Sequence, residues 1–342
     1  MNRSSRPASV TLAGILLSGA MPLLAADAPL APDLSMDVYA TPAQRVDIGG
    51  SRHLNLRCSG SGSPTVLLEI GQGMTSMSWR KVQPLLAAHS QVCSYDRAGL
   101  GFSDAGPSPR SAQAAADDLH ALVRAAPIKT PLVLVGHSMG GSIVRLYAAA
   151  HADEVAAIVL VDPVVADLAT KAPDVAAQEA QLTADNSAGT RHCVELAKSG
   201  ALAGMTPPAE GCVHPAYPGF SQKLNDSVHA RDINPVFWEA ALSEREADAA
   251  NSAAVQALKP LGKVPLIVLS ADGTHDYLPP DARKAADAAY RDGHQRIAAS
   301  STRGRVVPVE NSSHNVQEDR PDAIADAVAR AIAQVGGSKP RL

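Results

Sequence analysis

One stretch constrains this chain more than any other: residues 131–147, PLVLVGHSMGGSIVRLY. A run of leucine and valine ends at Gly136-His137-Ser138-Met139-Gly140-Gly141, and apolar residues at helical spacing (Ile143, Val144, Leu146, Tyr147) begin at once. Ser138 therefore stands at the tip of a sharp strand-to-helix turn. Such a turn strains the serine backbone and leaves no room for side chains two residues before or after it, hence Gly136 and Gly140. It also exposes the Ser138 hydroxyl and puts the N–H of Met139 at a helix N-terminus, where it can stabilise a developing oxyanion.

A serine hydroxyl alone is a poor nucleophile. It needs a general base within hydrogen-bond reach, and the base needs a carboxylate to fix its tautomer and stabilise the imidazolium. Of the 11 histidines, His314 follows the last predicted strand (305–309) on the edge that faces the serine turn, and is the candidate base. His137 points into packing and His275 lies in the loop after the preceding strand. The acid has two candidate places: Asp162, which ends the strand at 155–161, or the loop after the strand at 264–270, with Asp276 and Asp272. Both satisfy the chain order Ser, Asp, His.

The rest of the chain supplies the frame. Strand-like runs at 44–48, 53–58 and 65–70 are followed by Gly71-Gln72-Gly73-Met74, where the backbone N–H of Gln72 is the candidate second oxyanion donor. A helix is expected at 77–88, a strand at 91–95 and a helix at 111–126, completing a βαβ unit before the serine strand. Asp96 and Arg97 read as a salt-bridged turn that positions the Gln72 loop rather than as catalytic groups. From 164 to 262 the strand pattern disappears and alanine-rich helical periodicity takes over, broken by prolines, as in a helical cap. Helices at 281–299 and 321–335 flank the final strand. The order of elements implies an α/β fold, a mostly parallel eight-stranded sheet with helices on both faces. Ligands then belong at the carboxyl ends of the strands, where Gln72, Ser138, Asp162 and His314 lie.

Composition narrows the function. A formal charge of −4 with no basic run argues against nucleic acid as a partner, and no HExxH or clustered His/Cys spacing points to a metal or other cofactor. Aromatics are 3% of the chain, so an aliphatic core and pocket are expected, with a preference for apolar acyl chains. Residues 1–26 read as a signal peptide: Arg3 and Arg6, an apolar run too short to span a bilayer, then Ala25-Ala26. No stable membrane span is expected after its removal, and the mature protein is expected in the periplasm or secreted. Residues 27–43 read as a linker, 44–163 with 263–338 as the catalytic domain, and 164–262 as the cap. Four cysteines suit an oxidising compartment; pairing of Cys58 with Cys93 and of Cys193 with Cys212 is preferred among three connectivities. The sequence sets no oligomeric state.

The stretches CSGSGSPTVLLEIGQG, VCSYDRAGLGFSDAGP, LVLVGHSMGGSIVRLYA, IVLVDP and SSHNVQEDRPDAI together resemble the α/β-hydrolase superfamily, in its bacterial group of esterase-like and prolyl-aminopeptidase-like members. The resemblance covers residues 45–161 and 264–335; the cap adds nothing to it. It departs at Ile70-Gly71, where many members carry His-Gly. In sequences with this YDRAG and VLVD pattern the later loop often lacks a well-placed aspartate, which favours Asp162 over Asp276. The resemblance implies a serine hydrolase acting on small or medium apolar esters through an acyl-enzyme, with Ser138, His314 and Asp162 as the triad. An amidase or peptidase with the same triad, or a non-catalytic binder of a small molecule, is the alternative.

Overall fold

The apolar runs between residues 44 and 161 form strands because each is bounded by glycine, serine or aspartate and carries residues that fill a layer on both sides. The computed structural model of the protein describes residues 31–336 apart from 206 and 208–210, so the signal peptide expected at 1–26 lies outside the described residues. Eight strands, β1 (Gln44–Asp47), β2 (His53–Ser59), β3 (Val66–Glu69), β4 (Val92–Tyr95), β5 (Leu132–His137), β6 (Val155–Val161), β7 (Leu266–Gly273) and β8 (Gly304–Ser313), form one sheet in the order β1-β2-β4-β3-β5-β6-β7-β8. β1, β2 and β4 pair antiparallel; every other pairing is parallel.

Alternation along the strands sorts the core into two layers. Leu134, Ile158, Leu160 and Val268 face helices α2 (Ala112–Ala125), α3 (Met139–Ala150) and α9 (Pro280–Ala298). Val133, Val135, Val159 and Leu269 face Trp79, α1 (Gln83–Ala87) and α11 (Pro321–Gly336). The helix expected at 77–88 is a 3-10 turn at Ser76–Trp79 followed by α1, and a short α10 (Val316–Asp319) precedes α11.

Between β6 and β7 come α4 (Leu168–Lys171), α5 (Pro173–Lys198), α6 (Gln222–Asp232), α7 (Pro235–Glu246) and α8 (Asp248–Gln256). α5 runs unbroken over 26 residues, whereas the helical stretch 235–256 breaks at Ala247 into α7 and α8. Part of this segment has a small core of its own, in which Phe237, Trp238, Val194 and Leu202 pack around the Cys193–Cys212 disulfide. A second disulfide joins Cys58 and Cys93, directly opposite each other on β2 and β4.

Within the linker expected at 27–43, the described residues from 31 on include a short helix. Leu34–Ala40 is a 3-10 helix capped by Asp33. Asp33 N–H donates to Gly219 O at 2.9 Å, the Ser221 hydroxyl donates to Asp37, and Arg57 lies 4.9 Å from the centre of the Tyr39 ring. Its contacts come from single groups on one short turn, too brief for any periodicity to register. Among the described residues, no helix is long and apolar enough to cross a membrane.

Candidate active site

Ser138 ends β5 and caps α3 with φ 54° and ψ −122°, a conformation that L residues rarely adopt. The two glycines around it are required by close approach. A Cβ on Gly136 would lie 2.5 Å from Gly140 O, and one on Gly140 would lie 2.5 Å from Glu69 O of the neighbouring strand. The turn is anchored from the other side by β6: Ser138 N–H donates to Val161 O at 3.1 Å.

The next residue of that strand is Asp162, also at positive φ (43°) and buried. Its carboxylate accepts from Ala271 N–H at 3.0 Å, the Thr274 hydroxyl at 2.6 Å and His314 Nδ1 at 2.7 Å. Burial favours the neutral acid, but the hydrogen bond and charge of His314, helped by His294 and Thr274, win and hold the Asp162 carboxyl below its ordinary range. With Nδ1 donating to Asp162, His314 keeps Nε2 as its basic nitrogen.

His314 follows β8 and is tied to the serine turn through His137. The His137 Nε2–H donates to His314 O at 2.9 Å, and the two rings lie 4.8 Å apart. His137 is fully buried with Nδ1 unpaired. Burial and the neighbouring His314 push its pKa down to about 3, so it is neutral. The alternative acid is elsewhere: Asp276 is exposed and pairs with Arg283 at 3.0 Å, while Asp272 accepts the Asn311 and Ser312 N–H groups. His275 is held by Asp287 at 2.8 Å.

The loop after β3 is fixed by a buried ion cluster. Arg97 donates to Glu69 (2.6 Å), to the carbonyls of Ile70 and Gly71 (both 2.7 Å), and to both oxygens of Glu244 on α7 (2.7 and 3.0 Å). Glu244 in turn accepts Gly73 N–H at 2.8 Å. Burial opposes the Arg97 charge, but Glu244 and Glu69 more than restore it and raise its pKa above the usual value. Asp96 is structural as well, accepting the N–H groups of Ser76 and Phe102 and the Asn55 side-chain amide. Gln72 Nε2 donates to Asp248 at 2.9 Å and its Oε1 accepts from Arg245 at 3.2 Å. Among the described residues, neither Gln72 N–H nor Met139 N–H is hydrogen-bonded to protein.

Residues 66–327 match the alpha/beta hydrolase family model. The chain belongs to the α/β-hydrolase family. A relative, the uncharacterized protein YqjL of Bacillus subtilis (strain 168), is 26% identical over 271 residues, 79% of this chain and 83% of that protein. Among solved structures, a thermophilic esterase from Thermogutta terrifontis is 19% identical with a TM-score of 0.58, over 86% of this chain and 99% of that one. The epoxide hydrolase CorEH is 20% identical with a TM-score of 0.59, over 86% and 99%. These two likenesses concern the fold.

Beside Gln72 and Asn315, the neighbour of His314, this α/β-hydrolase has a cavity of about 750 Å3 walled by the loop after β3 and by α5, α6 and α7. Its lining departs from the aliphatic one expected. Phe220, Phe237 and Trp238 stand in it together with Arg80, Arg231 and Arg245. Aromatics are scarce in the chain as a whole, but several of them gather at this wall. At the opposite edge of the sheet, ahead of β6, His120, His151 and Glu154 bring three potential metal-ligand atoms within 4.8 Å of one another, with the two imidazoles stacked at 3.6 Å. The cluster is remote from Ser138, and two of its three members are histidines from different elements, so no local motif announces it.

Several residues that shape the site escape sequence reasoning. Glu244 and Arg245 lie on a helix far along the chain from the loop they contact. Thr274 and His294 support Asp162 and its neighbour, the latter through Pro163 O at 3.0 Å. Only the Asp96-Arg97 pair had a local signal.

Proposed function

We propose that this α/β-hydrolase is an exported serine hydrolase that cleaves carboxylic esters through an acyl-enzyme. The observation that carries the reading is the 2.7 Å bond between His314 Nδ1 and buried Asp162, on the strand edge where Ser138 stands at a strained turn. Ser138 Oγ attacks the ester carbonyl while His314 Nε2 accepts its proton, and Asp162 stabilises the imidazolium. The free N–H groups of Met139 and Gln72 receive the oxyanion. His314 then protonates the leaving alcohol, and a water activated by the same nitrogen releases the acid and restores Ser138.

The fold alone does not select this chemistry, since it also serves epoxide hydrolases. The residue at the turn supports it: epoxide hydrolases and haloalkane dehalogenases carry aspartate there, and this chain carries serine. In this reading residues 164–262 form a cap over the site, and residues 44–163 with 263–338 form the catalytic domain. Export rests on the N-terminal pattern and on two disulfides, which persist in oxidising compartments.

The test is turnover of a p-nitrophenyl ester chain-length series by the mature protein beside Ser138→Ala. Turnover is expected to fall by roughly 10^4-fold or more. Equal turnover by the two proteins refutes the serine mechanism, and no turnover on any ester moves the reading to an amidase.

A further inference from the structure

The cavity beside Gln72 contains three guanidinium groups in different states. Arg80 is chelated by both oxygens of Glu318 and lies 5.9 Å from the centre of the Phe220 ring. Arg231 donates to Asp232 through Nε at 3.1 Å and Nη2 at 2.7 Å, and lies 5.1 Å from the Phe237 ring. Both charges are matched within the protein.

Arg245 is not. This half-buried side chain, one residue from the end of α7, donates only through Nη1, to Gln72 Oε1 at 3.2 Å. Its Nε is buried with no acceptor, and among the described residues it forms no ion pair. The carboxylates that could answer it are engaged elsewhere. Glu244 gives both oxygens to Arg97 and one of them also to Gly73 N–H, and Asp248 accepts from Gln72 rather than from Arg245. Of the two acidic residues in the cavity wall, Glu318 is taken by Arg80, and Asp185 is an exposed residue of α5 that accepts from Gln181.

A desolvated N–H left without an acceptor is unfavourable. A guanidinium with most of its donors open is a fork shaped for a carboxylate, which it can grip with two parallel N–H bonds. Gln72 sets the distance. Its backbone N–H is the proposed oxyanion donor and its side-chain amide accepts from Arg245, so the two sites are joined through one glutamine residue.

We infer that Arg245 is a specificity residue and that the substrate is an anionic ester, carrying a carboxylate a short aliphatic spacer away from the scissile carbonyl. This rests on the serine-hydrolase reading above and narrows its substrate class from apolar esters to monoesters of dicarboxylic acids or esters of hydroxy acids. The aromatic wall of Phe220, Phe237 and Trp238 packs the spacer, and Arg245 receives the carboxylate.

The experiment compares kcat/KM for two matched pairs: monoethyl adipate with diethyl adipate, and 4-acetoxybutanoate with its methyl ester, the second pair scored by acetate release. Each pair differs in one negative charge, on the acid arm in the first and on the alcohol arm in the second. The mature protein is expected to favour the anionic member of at least one pair by tenfold or more. In Arg245→Gln that ratio collapses toward one, mainly through KM, and Arg245→Lys restores part of it. Any effect transmitted through Gln72 to the chemistry cancels in the ratio. Preference for the neutral member in both pairs, or a ratio unchanged by Arg245→Gln, overturns the inference while ester hydrolysis stands. Failure to turn over all four compounds and p-nitrophenyl acetate sinks the ester-hydrolase reading, and this inference with it.

Discussion

The sheet and the helices between β6 and β7 are built on different principles. The sheet is an aliphatic, two-faced layer in which alternate residues of each strand fill opposite cores, and its strand ends present Ser138, Asp162 and His314 within a small region. The helical segment has an aromatic cluster stapled by Cys193–Cys212, and it reaches the site through three side chains: Glu244 of α7, which grips the loop after β3, Arg245 of α7, which faces the cavity, and Asp248 of α8, which accepts from Gln72. In the proposed mechanism the reacting groups thus come from short-range features of the sheet. Their adjustment, and the proposed choice of substrate, come from long-range contacts of the helices.

The contrast is tested most severely at the two candidate acids. Asp162→Asn keeps the side-chain shape but removes the charge that orients and stabilises His314, and kcat is expected to fall by roughly 10^4-fold; Asp276→Asn, at the surface ion pair with Arg283, is expected to stay within about twofold. Steady-state kinetics on one ester checks both, and the opposite ranking would move the acid to the β7 loop.

A second comparison separates stability from catalysis. Glu244→Ala leaves the buried Arg97 short of a partner and Gly73 N–H unpaired, and is expected to destabilise by about 3 kcal/mol or more. Leu119→Ala, in the core between α2 and the sheet, is expected to lose a similar 3–5 kcal/mol. Only Glu244→Ala should also lower kcat, by roughly tenfold to a hundredfold, because it frees the loop that carries Gln72. Denaturant midpoints beside kcat under folded conditions decide this, and equal kcat in the two variants counts against the link from α7 to the loop.

The disulfides divide along the same line. Cys193–Cys212 closes 19 residues, for which chain entropy gives about 3 kcal/mol. Its double replacement by serine is expected to alter substrate preference at denaturant concentrations that leave the sheet folded; kinetics unchanged up to the global transition would deny the helical segment any independent response.

The last effect concerns pH. His137 is held neutral with its pKa near 3, below the ordinary value of about 6.5. The unfolded chain therefore binds a proton first as pH falls. Stability from this group is complete above pH 6.5 and declines toward pH 3 with a limiting slope of about 1.4 kcal/mol per unit. His294, also depressed by burial, acts in the same direction, and Asp248, raised to about 6 by burial, acts in the opposite one. Both remain in His137→Asn, so the difference in slope between the two proteins isolates His137; parallel curves would show that it is solvated.

Much of the sheet and its edge was legible because its signals are local. The Gly136/Gly140 spacing, the strand ending in Asp162 and the histidine after the last strand each show within a few residues. The choice between Asp162 and Asp276 did not, because it depends on which loop folds toward His314; in the fold His314 Nδ1 bonds Asp162, which Ala271 N–H and Thr274 also brace. Arg97 could be read as structural, but its partner Glu244 could not, since nothing local marks which helix returns to the loop. Composition misled at the cavity for a related reason: a low aromatic content fixes how many rings exist, not where they gather. The 3-10 helix at Leu34–Ala40 was missed because single side chains hold it in place.

The measurement that addresses the central claim most directly is mass-spectrometric mapping of the adduct formed by a fluorophosphonate probe on the mature protein. A single phosphonyl group on Ser138, formed at a rate that drops sharply in Asp162→Asn, is the expected result. An adduct on another residue, or labelling that persists unchanged in Ser138→Ala, would contradict the account.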